Sequence, residues 1–176
     1  METPAVPPPG CVRRRKRRSS GSALVEYALT FVPLWALIFA FVDLGLMLFR
    51  WSTLENAVRE GCRYAITFQT ADGLGQDASI AQVVERYAMG VVKVSDSPQH
   101  IYVRYYSPAN PTVPITAGGN LPGNIVQVSV EQVSWAWIAP LSGTIGGVYA
   151  TAPFTLSVYS SDILGGYPAG VNNVPR

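Results

Sequence analysis

The stretch "RRRKRRSSGSALVEYALTFVPLWALIFAF", Arg13 to Phe41, opens with six consecutive bases, passes a glycine and becomes a long apolar run. One acid, Glu26, stands at the start of that run. No charge follows from Tyr27 to Val42, and after Asp43 the apolar character resumes through Phe49. Coiled as a helix, Tyr27–Phe49 would be about 34 Å long, against a bilayer hydrocarbon core of about 30 Å, so it is long enough to cross. Bases flanking a span stay on the cytoplasmic side. Arg13, Arg14, Arg15, Lys16, Arg17 and Arg18 therefore place the N-terminus in the cytoplasm and everything from Arg50 onward outside the inner membrane. A secretory signal peptide cut near Ala40 fits less well, because the apolar run is long for one and continues as helix.

Composition narrows the rest. The chain has 176 residues, 48% hydrophobic and 14% charged, which argues against disorder and fits one modest domain plus a membrane segment. The net charge of +2 hides an uneven distribution. Beyond residue 21, seven bases face ten acids, a net of −3. A nucleic-acid-binding domain would carry bases along one of its faces, and this one does not. The two cysteines, Cys11 and Cys62, fall on opposite sides of the span and form no disulfide framework. With one histidine, His100, the residues for a zinc site of the usual kind are missing, and no cofactor or small-molecule substrate is expected. His100, Asp96 and Ser97 are neighbours in sequence but suggest no nucleophile–base pair, so no catalytic residue is named.

The helical pattern outlasts the membrane. Trp51, Leu54, Val58, Cys62, Ala65 and Phe68 recur at three- and four-residue steps, with Arg50, Glu55, Arg59, Glu60 and Arg63 mainly off that stripe. This predicts one helix from near Ser22 to near Phe68, bent at Pro33 and stopped by the glycines of "ADGLGQD", Ala71–Asp77. A short helix follows. Ser79 and Gln82 have capping-box spacing, and Ile80, Val83, Val84, Tyr87, Ala88 and Val91 make its buried face. The period then drops to two. Ile101, Val103 and Tyr105 alternate with Tyr102, Arg104 and Tyr106 in a first strand, and Ser107–Asn124 reads as a Pro/Gly loop. In a second strand, Val126, Val128 and Val130 give way to Val133, Trp135 and Trp137, a slip of phase that a β-bulge would produce. Phe154, Leu156 and Val158 mark a third strand. The expected fold is α+β: a long N-terminal helix, a short second helix and a small antiparallel sheet of about three strands, its apolar face covered by the long helix. The expected divisions are a leader at 1–21, the span at 22–49, its amphipathic continuation at 50–70, a head at 71–162 and a loose Gly/Pro-rich tail at 163–176. The strand aromatics Tyr102, Tyr105, Trp135 and Trp137 read as core and rim, with a sugar- or surface-binding patch as the other possibility.

The order of bases, Gly21, Ser22, Glu26, Tyr27 and span resembles the processing site of a type IV prepilin, and the Glu-Tyr pair is similar to that of tight-adherence pilins. The likeness extends over "SGSALVEYALTFVPLWALIFAFVDLGLMLFRWSTLENAVREGCRYAI", Ser20–Ile66, which resembles the TadE-like family. That family's proline in the span, Asp near its end and A-x-R-x-G-A-R ending match Pro33, Asp43, Ala57, Arg59, Gly61 and Arg63, while Cys62 departs from the usual alanine. The "W-x-x-P-L" turn, Trp137–Leu141, agrees in outline. The resemblance implies a pseudopilin or minor pilin of a tight-adherence pilus, supporting adhesion and surface colonisation without chemistry of its own. It implies cleavage between Gly21 and Ser22 by a prepilin peptidase, with other pilins and an inner-membrane assembly platform as further partners. It also gives Glu26 a reason: a carboxylate in apolar surroundings is costly unless paired, and in pilin filaments it meets the new terminal amine of a neighbour. The competing reading is a bitopic inner-membrane protein whose outer domain binds a ligand or envelope component.

Overall fold

The computed structural model describes residues 20–135, 154–171 and 174–176. The basic leader, Cys11 and the Trp137–Leu141 turn lie outside the described residues. The element order is α1 (Ser20–Ile66), α2 (Gln76–Tyr87), β1 (Ile101–Ser107), β2 (Asn110–Pro114), β3 (Ile125–Trp135) and β4 (Phe154–Ile163). The fold is α+β, as expected.

α1 is a single helix of 47 residues that continues through Pro33. Leu, Ala and Met, the good helix formers, are frequent in it, and its β-branched residues never form a long run. Its two halves live in different surroundings. From Leu24 to Phe49 the large apolar side chains are mostly bare, with Leu24 at 72% and Leu29 at 75% exposure. From Leu54 onward the expected stripe is buried: Leu54, Ala57, Val58, Cys62, Ala65 and Phe68. A bare apolar surface of that extent is stable only in a bilayer or against other apolar helices. α1 is long and apolar enough to cross a membrane, the one such helix among the described residues, which supports a single-pass membrane protein. The helix stops before the glycines expected to end it. The Thr67 and Phe68 amides donate to the carbonyls of Tyr64 and Ala65, tightening the last turn, and Phe68 takes a left-handed φ of 53°.

The short helix also begins differently. Ser79 and Gln82 form no capping box; α2 starts at Gln76, after Gly75, without a side-chain cap. The Ser79 hydroxyl instead donates to the Gly75 carbonyl and accepts from the Ala71 amide. Ile80, Ala81, Val84 and Ala88 form the buried face, whereas Tyr87 turns outward at 44% exposure.

The sheet is antiparallel in the order β2-β1-β3-β4. The fourth strand, β2, lies within the segment read as a Pro/Gly loop. It is wholly exposed, and Pro111 and Pro114 are tolerated because it is an edge. The bulge falls where the phase slips: the β3–β4 register shifts between Val130 and Val133, with Gln132 at a φ of 58°. Ile101, Tyr105, Val126, Val128, Val130, Leu156 and Val158 point to one side and are buried under α1 and α2.

The tail expected to be loose is packed. Leu164 and Val174 are buried, and Tyr167 stacks on Phe68 at 4.6 Å between ring centres. Arg176 pairs with Asp77 at 2.7 Å, and its guanidinium lies over the Tyr105 ring. The Pro175 carbonyl accepts from the Gln76 amide at 2.8 Å. Gln76, fully buried, donates to the Ala65 carbonyl, while Asn120 donates to Gln76 and to the Val174 carbonyl. These bonds satisfy two buried amide side chains and join the end of α1, the start of α2 and the tail.

Candidate functional site

The family-motif residues divide between the two halves of α1. Gly21 and Ser22 lie in its first turn, where backbone donors have no helical partner. A Cβ added at Gly21 would meet nothing within 4 Å. Ser22 and Glu26 are four apart and share a face, one turn from each other. Glu26 is exposed, Tyr27 is 76% exposed, and the Thr30 hydroxyl folds back onto the carbonyls of Glu26 and Tyr27. The carboxylate is thus presented at the surface of the helix. Farther along, Phe31, Trp35 and Phe39 stack in a row at four-residue steps, with ring centres 5.7 and 5.5 Å apart. Their spacing could have revealed that row in the sequence.

Asp43, the charge that interrupts the apolar run, lies within the first, mostly bare half of α1. It is only 1% exposed, on the helix face that continues through the partly buried Met47 into the core stripe at Leu54. The head's core therefore reaches back as far as Met47, inside the apolar run.

The second half of the motif builds the junction with the head. Arg59 pairs with Glu55 and Arg63 with Glu60 along the solvent face. Gly61 sits opposite, at a close approach of α1 to α2 and β3. An added Cβ there would lie 2.6 Å from Val84 Cγ2, 3.4 Å from Val128 Cγ1 and 3.6 Å from Ile80 Cγ2. Cys62, the departure from the family pattern, is buried, and its thiol donates to the Ser160 carbonyl at 3.1 Å. Burial pushes its pKa up, which keeps the thiol protonated and unreactive.

Three contacts fix how the sheet lies along α1. Arg50 covers the Trp135 ring at 4.9 Å, Gly61 faces Val128, and Cys62 reaches Ser160, the register partner of Val128. So β4 runs with α1 and β3 runs against it. Trp135 and its partner Phe154 form the end of the sheet nearest the span, while Ile125 and Ile163 form the far end, with β2 beyond. Sequence reading missed this pairing of Arg50 with Trp135, which are 85 positions apart.

The outer face of the sheet carries an Arg104–Glu131 pair, bridged by Ser129, whose hydroxyl donates to Glu131 at 2.8 Å. The Arg104 guanidinium holds the Glu131 carboxyl below its usual range. Tyr102, Tyr106 and Tyr159 share that face, whereas Tyr105 is fully buried and donates to Asp77 at 2.7 Å. Burial and that bond to Asp77 push the Tyr105 phenol far up. His100 and Asp96 do not converge: His100 Nδ1 lies 2.9 Å from the Glu131 carbonyl, and Asp96 accepts from the Lys93 amide. Among the described residues, no three His, Cys, Asp or Glu side chains gather as metal ligands would.

No curated protein and no solved structure matches the chain. The family model described as TadE-like protein matches residues 21–63. That segment begins at Gly21 and ends at Arg63, two residues past the close approach at Gly61. It takes in both the bare and the buried half of the helix, and over this region, about a quarter of the chain, the protein is similar to the TadE-like family.

Proposed function

We propose that the protein is a pseudopilin or minor pilin of a tight-adherence pilus, with a structural rather than catalytic role. The observation that carries the reading is the division of one unbroken TadE-like helix into a bare apolar half and a half that is the core of a folded head. The bare half suits insertion first among lipids and then among the helices of other pilins. The processing motif lies at its cytoplasmic end, where a prepilin peptidase would cut between Gly21 and Ser22. The expected orientation puts the head on the far side of the inner membrane, and assembly would proceed on an inner-membrane platform.

Glu26 fits this role. Cleavage leaves an ammonium on Ser22, and a neighbour's Glu26 would neutralise it inside a filament. Removing one partner of such a buried pair typically costs about 3–5 kcal/mol. Intact-protein mass spectrometry in cells with the matching peptidase should find Ser22–Arg176 for the parent and the full chain for Gly21→Arg. A parent that keeps its leader would overturn the reading in favour of a simple membrane anchor. Glu26→Ala should be processed and membrane-resident but fail to co-purify with other pilins, with Glu26→Gln in between. Normal co-assembly of Glu26→Ala would show that the acid plays no part in subunit pairing.

A further inference from the structure

α1 joins the head directly to the apolar run. Met47, within the apolar run, already packs on the head's core, and Leu54, two turns on, is fully buried. No linker separates the two parts, because α1 is continuous. The near end of the sheet therefore lies at the level where the apolar run ends. Among the described residues, the exposed groups there include Phe154, 46% exposed, and Trp51, 45% exposed, beside Arg50, the first charge after the run, which covers the buried Trp135. Large aromatic rings beside an arginine at the end of a span suit the headgroup layer: the rings take the apolar side, and the cation can face phosphate.

We propose that this near rim of the head, formed by Arg50, Trp51 and Phe154 over the buried Trp135, is seated in the phospholipid headgroup layer. The head is then held at a fixed height and orientation by two attachments, the span and the rim. Continuity with the span and the chemistry of the rim suffice for this seating, which requires neither leader cleavage nor filament assembly. Farther from the span the sheet behaves oppositely. Tyr159, five residues up β4 and 71% exposed, stands about 17 Å from Phe154 along the strand, more than the depth of a headgroup layer. Val113 on β2, 58% exposed, lies at the far end.

Nitroxide labels on the full chain in nanodiscs of phosphatidylethanolamine and phosphatidylglycerol test this. The background is Cys11→Ser, with the buried Cys62 retained. Labels would be introduced through Phe154→Cys, Trp51→Cys, Tyr159→Cys and Val113→Cys, one at a time. Positions 154 and 51 should relax more with oxygen, which concentrates in lipid. Positions 159 and 113 should relax more with a water-soluble nickel chelate. Trp51→Cys keeps the test valid if Phe154→Cys misfolds. Equal access of the nickel chelate to all positions would overturn the proposal, as would lipid-like accessibility at 113, which would mean that the head lies down on the other end.

Discussion

Gly61→Ala is the most informative perturbation of the junction, because two effects of known size oppose each other there. Alanine in a helix interior is favoured over glycine by about 1 kcal/mol. On an open helix face the substitution would stabilise. Here the added methyl would lie 2.6 Å from Val84 Cγ2, against an optimum carbon–carbon separation of about 3.5–4.0 Å. Val84 is fully buried and stiff at χ1, so it cannot swing aside. Either α1 and α2 part by about 1 Å or Val84 leaves its rotamer, and such overpacking costs about 1–3 kcal/mol. The net expectation is a loss of about 1 kcal/mol, or roughly 2–4 °C in Tm for a chain of this size. Val84→Ala alone should cost about 1–2 kcal/mol through lost burial. The double variant should be little worse than Val84→Ala, because the new methyl occupies the space that was vacated. That is a coupling of about 1–2 kcal/mol, well outside the additivity expected of independent sites, about 0.5 kcal/mol. Urea titrations of the full chain in detergent micelles, followed by near-UV circular dichroism, would measure it. A Gly61→Ala chain more stable than the parent, or a double variant whose cost is the plain sum, would refute the close approach at this glycine.

Two further outcomes follow from the head. A fragment beginning at Trp51 should be soluble and monomeric by size exclusion, whereas one beginning at Asp77 should aggregate, because it exposes Val126, Val128 and Leu156; equal behaviour would show that α1 is not their cover. The Glu131 carboxyl is held below its usual value by Arg104, so the pair's contribution is present above the unfolded carboxylate pKa of about 4.3 and is lost as pH falls through the lower folded value. Both side chains are 33% exposed and screened, which limits the effect to about 1 kcal/mol or less. Glu131→Gln should flatten the fall in stability between roughly pH 5 and 3; an unchanged slope would assign that fall to other carboxylates.

What the sequence determined by itself was everything written in short-range periodicity. Charge-free length gives the span, three- and four-residue steps give the stripe from Leu54 to Phe68, and alternation gives β1, β3 and β4. Even the bulge near Gln132 was legible, because a phase slip moves side chains to the other face unless a residue is inserted. The order of bases, Gly21, Glu26 and Tyr27 is likewise a local spacing, with no need of partners from elsewhere in the chain. The tertiary structure decided whatever depends on residues far apart. The start of α2 followed the bonds that Gln76 makes to Ala65, Asn120 and Pro175 rather than the local capping pattern of Ser79 and Gln82. The Gly/Pro-rich tail, polar and aperiodic by sequence, is held because Val174 and Arg176 find Asn120, Asp77 and Tyr105. β2 forms only because β1 offers it an edge. The lie of the sheet along α1 rests on Arg50 meeting Trp135, and no local pattern encodes a contact between a helix and a strand end so distant in the chain.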